Sequence, residues 1–137
     1  MQQLSLFSDM IGDVYRFNQE VIGTVPPEKP QTLPPLRLLF ALTAMYEELN
    51  EFTVASNTGD VGEAVDAMID LIYFAIGRCY EMGISTTKLN ECWRLVQEKN
   101  MQKSPGRKNR GTDIDAVKPE GWEAANLNEV LQWQINR

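Results

Sequence analysis

Apolar residues recur at steps of three and four along much of the chain, which is the spacing of amphipathic helices. From Leu4 to Val21 this spacing predicts a first helix over residues 3–21. Five of the seven prolines then fall within residues 23–35, and proline removes a backbone donor and fixes φ. The stretch 23–35 is therefore predicted to be a stiff connection without helix.

Three further helices are predicted after the proline-rich connection. Residues 36–55 contain neither proline nor glycine and predict the second helix, and the third is expected to run from Asp60 to about Met82. Hydroxyl residues at 85–87 offer caps for a fourth helix that reaches about Gln102. Together with the first, these make four main helices.

The chain beyond residue 102 has a different composition. Residues 103–121 are rich in lysine, arginine, glycine and proline, which predicts a basic loop or arm, and Asn126 can cap a short final helix through Leu131. No stretch shows the alternation typical of strands. The sequence thus predicts one all-α domain over residues 1–137, a four-helix bundle with a long connection after its first helix.

The third predicted helix is apolar around most of its circumference. Its apolar residues are Val65, Met68, Ile69, Leu71, Ile72, Phe74, Ala75, Ile76 and Cys79. A helix of this kind must be buried on nearly all sides, and four helices of this length can hardly surround it. We therefore expect a homo-oligomer, either a symmetric dimer or a tetramer made of two dimers.

Composition narrows the chemistry that the chain can perform. It has no histidine, which excludes His–Asp triads, histidine zinc sites and histidine acid–base catalysis. Cys79 and Cys92 fall on apolar stretches without CxxC spacing and are expected to be buried, reduced thiols. No apolar run approaches the ~20 residues that span a membrane, and the N-terminus lacks the basic start of a signal peptide, so a cytoplasmic protein without membrane contact is expected.

Acidic residues are concentrated on the two central helices. Between Arg37 and Arg78 lie seven acids and no base, although the net charge of the whole chain is only −6. These acids are Glu47, Glu48, Glu51, Asp60, Glu63, Asp66 and Asp70. At 100° per residue, those of the second helix share one sector and the last three form a stripe on the third. Small residues share the same faces (Ala44, Ala55 and Gly77), which predicts that the two helices approach closely.

Carboxylates gathered without a base are costly unless a cation neutralises them. Oxygen ligands in a chain without histidine select a hard ion, which is Mg²⁺ or Mn²⁺. The alternative interpretation is a solvated acidic face, which is the usual role of a run of charges.

Basic residues follow further along the chain. Residues 99–118 carry a balance of +4, and an acidic metal cage with a separate basic loop suits a polyphosphate ligand. A loosely ordered basic loop, or a weak contact with nucleic acid, is the alternative. The net charge of −6 and the isoelectric point near 4.7 disfavour nucleic acid as the main partner.

Four ordered segments resemble a known family, the all-α nucleoside triphosphate pyrophosphohydrolases, which include MazG, dimeric dUTPases and phosphoribosyl-ATP pyrophosphatase. The resemblance is strongest to the short single-domain MazG-like proteins of bacteria and phages. The segments are Glu47-Glu48-Leu49-Asn50-Glu51 for the family's EExxE, residues 66–73 for its second acidic helix, Lys99-Asn100-Met101-Gln102-Lys103 for its NMxK, and Lys118-Pro119 with Gly121-Trp122 for its late KP segment.

The resemblance implies Mg²⁺-dependent hydrolysis between the α- and β-phosphates of a nucleoside or deoxynucleoside triphosphate, which gives a monophosphate and pyrophosphate in nucleotide-pool housekeeping. It also implies roles for particular residues. Metal ligands would be Glu48, Glu51, Asp66 and Asp70; Glu47 would orient or deprotonate the attacking water; and Asn100, Lys103 and Lys118 would contact the nucleotide and its phosphates. For Asn100, the alternative is a plain helix C-terminal residue.

The second motif departs from the family pattern. The family has ExxD, and when the motif is aligned on Asp70 its glutamate falls at Ala67. Asp66 lies one turn before Asp70 on the same face, so it is taken as the substitute ligand. Glu63, which forms a literal ExxD with Asp66, is the alternative, either as an outer ligand or as the ligand in place of Asp66.

Two rival functions are consistent with these patterns. One is a non-catalytic helical scaffold or regulatory module whose carboxylates bind metal or a partner. The other, within the same chemistry, is hydrolysis of phosphoribosyl-ATP. No residue pattern distinguishes among bases or sugars.

Overall fold

The computed structural model describes residues 9–107 and 114–135, with side chains described as far as residue 131. Its helices are α1 (Met10–Phe17), α2 (Pro35–Thr58), α3 (Val61–Glu81), α4 (Thr86–Asn100) and α5 (Leu127–Ile135). A π-helical turn (Asn18–Ile22) follows α1, and two short strands, β1 (Ser104–Gly106) and β2 (Asp115–Val117), follow α4. The predicted all-α class with four main helices is confirmed. Within the described part of the chain, no helix combines the length and apolarity needed to cross a bilayer.

The first predicted helix differs from the structure at its C-terminal end. Residues 3–8 lie outside the described part of the chain, and the α-helical part ends at Phe17. Beyond it the carbonyl of Asn18 accepts from the N–H of Gly23 at 2.9 Å, which closes a wider π-helical turn. Gly23 then takes a left-handed φ of 79°, which ends the helix. Hydrophobic spacing cannot distinguish such a turn from a continuing α-helix, because only one residue is added.

The prediction that the chain lacks strands was wrong within residues 103–121. Strands β1 and β2 pair antiparallel, with Ser104 opposite Val117 and Gly106 opposite Asp115. Strands of three residues are too short to show alternation in the sequence. Gly106 is needed at this position, because a Cβ there would lie 2.4 Å from the side chain of Val117.

The described residues divide near Thr86 into two compact units, which are considered separately. In the first unit, α2 and α3 pack along each other and α1 packs on α3. The buried side chains here are mostly small: Val14, Ala41, Ala44, Ala55 and Ala67. The predicted close approach of α2 to α3 agrees with the buried alanines. Gly77 serves a different contact. A Cβ at this position would lie only 3.0 Å from Nδ2 of the buried Asn18 in the π-helical turn, so glycine gives that side chain room.

The proline-rich connection packs against the end of α3. The N–H of Gln31 donates to the carbonyl of Met82 at 2.9 Å, and a Cβ on Gly83 would lie only 2.8 Å from the carbonyl oxygen of Pro27. The hydroxyl of Tyr80 donates to the carbonyl of Thr24 at 2.6 Å. As predicted, the connection contains no helix between Gly23 and Pro34.

A wide apolar surface remains exposed on α2 and α3. On α3, Val65, Ile69 and Ile72 are 52%, 48% and 40% exposed. Together with Phe52 and Met68, these residues line a shallow groove of about 360 Å³. The apolar surplus of the third helix that the sequence indicates therefore lies at the surface of the single chain. Neither Cys79 nor Cys92 forms a disulfide.

A buried ion cluster ties the start of α2 to the end of α3. The carboxylate of Glu81 is only 5% exposed and accepts from two guanidinium groups. Arg37 donates to it through Nε at 3.2 Å and also through Nη2, and Arg78 donates through Nη2 at 2.9 Å. A buried anion between two cations is costly to disturb, because removal of its charge leaves both cations uncompensated.

We expect Glu81→Gln to lower the free energy of unfolding by about 3 kcal/mol, because it leaves the Arg37 and Arg78 guanidinium groups without an anion. Glu20→Gln is the matched control, since Glu20 pairs with Arg16 on the surface and such pairs contribute under ~1 kcal/mol. Urea denaturation of both variants measures the difference. Equal, small losses would show that the buried cluster contributes no more than a surface pair.

Candidate metal centre

The acidic residues of α2 and α3 meet because a two-residue link reverses the chain between the helices. Gly59 takes a left-handed φ of 72°, and the N–H of Asp60 donates back to the carbonyl of Ala55 at 2.9 Å. The Asp60 carboxylate then caps α3 by accepting from the N–H of Glu63 at 3.0 Å. These bonds satisfy the end of one helix and the start of the next, so α2 and α3 run back along each other.

The two helices bring carboxylates to a single cavity of about 510 Å³. Glu48 of α2 and Asp70 of α3 both line it. Burial is the largest cause that raises the pKa of Glu48, from 4.5 to about 7, followed by the adjoining Glu51 carboxyl and then by the charges of Asp70 and Asp66. Burial also raises the pKa of Asp70, with Asp66 and Glu51 as further causes. The four predicted ligands therefore lie close enough to act on one another.

These four carboxylates have the chemistry that a hard divalent cation requires. Every available donor is an oxygen, and Oε2 of Glu48 is buried without a hydrogen-bond partner. Across the described ranges, no three acidic, cysteine or histidine side chains already stand close enough to enclose an ion. The chemistry of these donors fits Mg²⁺ or Mn²⁺.

The structure does not bring Glu47 and Glu63 to this cluster. Neither is among the causes of the raised pKa values of Glu48 and Asp70, whereas Glu51 and Asp66 are. Glu63 belongs to the first turn of α3, about two turns before Asp70. The base role of Glu47 and the outer-ligand role of Glu63 stay predictions.

Sequence reasoning missed the other lining residues of the cavity. They are Phe17, Asn18, Ile22, Arg37, Phe40, Tyr73, Phe74 and Arg78. The two arginines were visible in the sequence only as the bases that bound the acidic interval. Their convergence depends on the reversal of the chain at Gly59, which places the start of α2 beside the end of α3.

The second unit gathers the residues predicted to contact substrate. Because Ser104 pairs with Val117, Lys103 and Lys118 lie next to each other at the end of the hairpin. Each ammonium group lies 4.9 Å from the centroid of the Trp122 ring, and Lys103 also donates to Oδ1 of Asn100 at 2.9 Å. The indole N–H of Trp122 donates to the carbonyl of Lys99 at 2.9 Å. The hairpin and one indole thus hold these predicted residues together.

Comparison with known proteins gives one family. The model of the phosphoribosyl-ATP pyrophosphohydrolases matches residues 14–100. This span contains all four clustered carboxylates and both cavity arginines, and it ends at Asn100, before Lys103 and Lys118. No curated protein matches the chain.

The raised pKa of Glu48 predicts how stability depends on pH. A carboxyl whose pKa is higher in the folded state binds more protons when folded, so the free energy of unfolding falls as the pH rises from about 4.5 to about 7. We expect Glu48→Gln to remove part of this fall. The free energy of unfolding of the variant, relative to that of wild type, should therefore increase from pH 4 to pH 8 in metal-free buffer. Urea denaturation across this range measures the difference, and a difference that is constant with pH would contradict the prediction.

Proposed function

Because the chain belongs to the phosphoribosyl-ATP pyrophosphohydrolase family, we propose that it is a Mg²⁺-dependent enzyme that hydrolyses the bond between the α- and β-phosphates of a nucleoside triphosphate group. Membership in this family confirms the predicted superfamily, whose members are hydrolases acting on phosphoric anhydrides. The proposal adds the metal, the bond that is cleaved and the residues that act.

One observation carries the proposal. Four carboxylates from α2 and α3 act on one another beside a cavity, and one of their oxygens is buried without a partner. No lysine or arginine is among the causes that shift the pKa values of Glu48 and Asp70. A solvated acidic face would neither bury Oε2 of Glu48 nor raise the pKa of Glu48 to about 7.

Each side chain has a task in this proposal. Glu48, Glu51, Asp66 and Asp70 would hold Mg²⁺ or Mn²⁺, which supplies positive charge to the phosphate oxygens and lowers the pKa of water. Glu47 would orient the attacking water or accept its proton as the water oxygen bonds to phosphorus. The bond from that phosphorus to the bridging oxygen breaks, and pyrophosphate leaves with its electron pair. We also propose that Asn100, Lys103 and Lys118 contact the nucleotide and its phosphates.

Phosphoribosyl-ATP is the first candidate substrate, because the matching family carries that name. Ordinary nucleoside and deoxynucleoside triphosphates are the second candidates, because the ordered segments of the chain resemble the MazG-like proteins most strongly. A non-catalytic scaffold would bind Mg²⁺ through the same carboxylates but release no pyrophosphate from either class.

We also propose that a second copy of the chain covers the apolar surface of α2 and α3. At ~25 cal/mol per Å², burial of ~800 Å² on each subunit gives a gross gain of order 40 kcal/mol, which exceeds the cost of association. The surface adjoins the acidic stripe of α3, so the metal centre would lie beside the interface between subunits.

We expect Glu51→Gln and Asp70→Asn each to slow pyrophosphate release at least ~100-fold, or about 2.7 kcal/mol in the barrier, because the metal loses an anionic ligand. The assay uses phosphoribosyl-ATP, ATP and the deoxynucleoside triphosphates, each with and without Mg²⁺. Asp13→Asn, an exposed change in α1, is the control and should keep wild-type turnover. Wild-type turnover by both site variants at saturating Mg²⁺ would overturn the site assignment.

Sedimentation equilibrium at micromolar concentration should give a mass of two or four chains of 15.6 kDa. Ile69→Lys should shift the protein toward a single chain, because it places a charge within the apolar surface. Val25→Lys is the control, since Val25 is 88% exposed in the proline-rich connection. A wild-type protein that sediments as one 15.6 kDa species would contradict the proposed dimer.

A further inference from the structure

The cavity that contains the metal centre has a second end of opposite charge. Asp70, Tyr73, Phe74 and Arg78 follow one another along α3, and all four line the cavity. Arg37 and Phe40 from the start of α2 complete the same end. The cavity therefore changes along its length from carboxylates, through aromatic rings, to two arginines.

We infer that the arginine end binds a phosphate monoester, and that it holds the second phosphate of a substrate that carries one on a sugar remote from its triphosphate. Phosphoribosyl-ATP is such a substrate, because its phosphoribosyl group bears a phosphate of its own. This inference rests on the proposed function and names Arg78 as the residue that determines specificity.

The arginine end carries an excess of positive charge. Two guanidinium groups share the single carboxylate of Glu81, which leaves one positive charge without a compensating anion in this cluster. The side chains of Arg37 and Arg78 are 43% and 12% exposed, and both line the cavity. An anion that enters the cavity would therefore balance this charge.

The two guanidinium groups are held in fixed positions. The Arg37 guanidinium lies 4.4 Å from the centroid of the Phe40 ring, and the Arg78 guanidinium lies 5.9 Å from both Phe40 and Phe74. These rings and Glu81 hold the planar guanidinium groups in place. Guanidinium groups that are already fixed lose little entropy when they bind a phosphate. Burial also lowers the pKa of Arg78, the direction expected for a cation with too little negative charge nearby.

The carboxylate end and the arginine end of the cavity are well separated. Both guanidinium groups contact Glu81, which is eleven residues from Asp70 and therefore about 16 Å away along α3. Phosphates held at the carboxylate end cannot also lie at Glu81. A base that stacks among Phe40, Tyr73 and Phe74 would place a group on its far side at the arginines. An ordinary nucleoside triphosphate has no anion there.

The test compares kcat/KM for phosphoribosyl-ATP with kcat/KM for ATP. We expect wild type to favour phosphoribosyl-ATP, and Arg78→Gln to reduce that preference at least ~10-fold. The ratio of the two substrates cancels any general loss of folded protein. Arg78→Lys keeps the charge and the partner of Glu81, and should retain part of the preference. Arg94→Gln, an exposed change at a pair with Glu98, is the control and should leave both values unchanged.

A binding measurement separates this inference from the proposed function. Titration of ribose 5-phosphate into metal-free protein, followed by nuclear magnetic resonance, should show millimolar binding that Arg78→Gln weakens at least ~10-fold, and ribose itself should not bind. If wild type released no pyrophosphate from any nucleotide, the proposed function would fail, and this titration would still decide the subsite. Equal losses of kcat/KM for ATP and phosphoribosyl-ATP, or no binding of ribose 5-phosphate to wild type, would overturn the inference.

Discussion

The close approach of α2 and α3 is the constraint on which the site depends. Three alanines of α2 and Ala67 of α3 are buried, and the left-handed Gly59 lets the chain reverse within two residues. Helices in such proximity force Glu48, Glu51, Asp66 and Asp70 into one region, where their charges repel. Folding must offset this repulsion elsewhere, and a bound cation would turn the same proximity into an advantage.

The reversal at Gly59 has a second effect at the other end of the two helices. It places the start of α2 beside the end of α3, where Glu81 holds Arg37 and Arg78. Negative charge therefore collects at one end of the cavity and positive charge at the other, with aromatic rings between. A ligand with charged groups at both ends and a flat apolar middle complements this order better than one with a single charged end.

Several features of the fold and site could be predicted from the sequence because each depends on spacing within one helix. The acidic faces of α2 and α3 follow from 3.6 residues per turn, and the proline-rich connection follows from composition. Other features depend on contacts between distant segments. The pairing of Arg37 and Arg78 at Glu81, and of Lys103 and Lys118 at Trp122, has no signature along the chain. The π-helical turn and the three-residue strands were missed because a single added residue and two very short strands scarcely alter the apolar pattern.

The π-helical turn also constrains how the length of this chain can change. Its first residue, Asn18, is buried on the same face as Val14, where Nδ2 donates to the carbonyl of Val14 at 2.9 Å and the side chain lies against Gly77. A π-helical turn absorbs one residue more than an α-helical turn, so deletion of one residue within 19–22 would close an ordinary α-helical turn and leave the connection on the same side of α3. One inserted residue would instead rotate the connection by about 100°. Single-residue deletions in this segment should therefore be better tolerated than single-residue insertions.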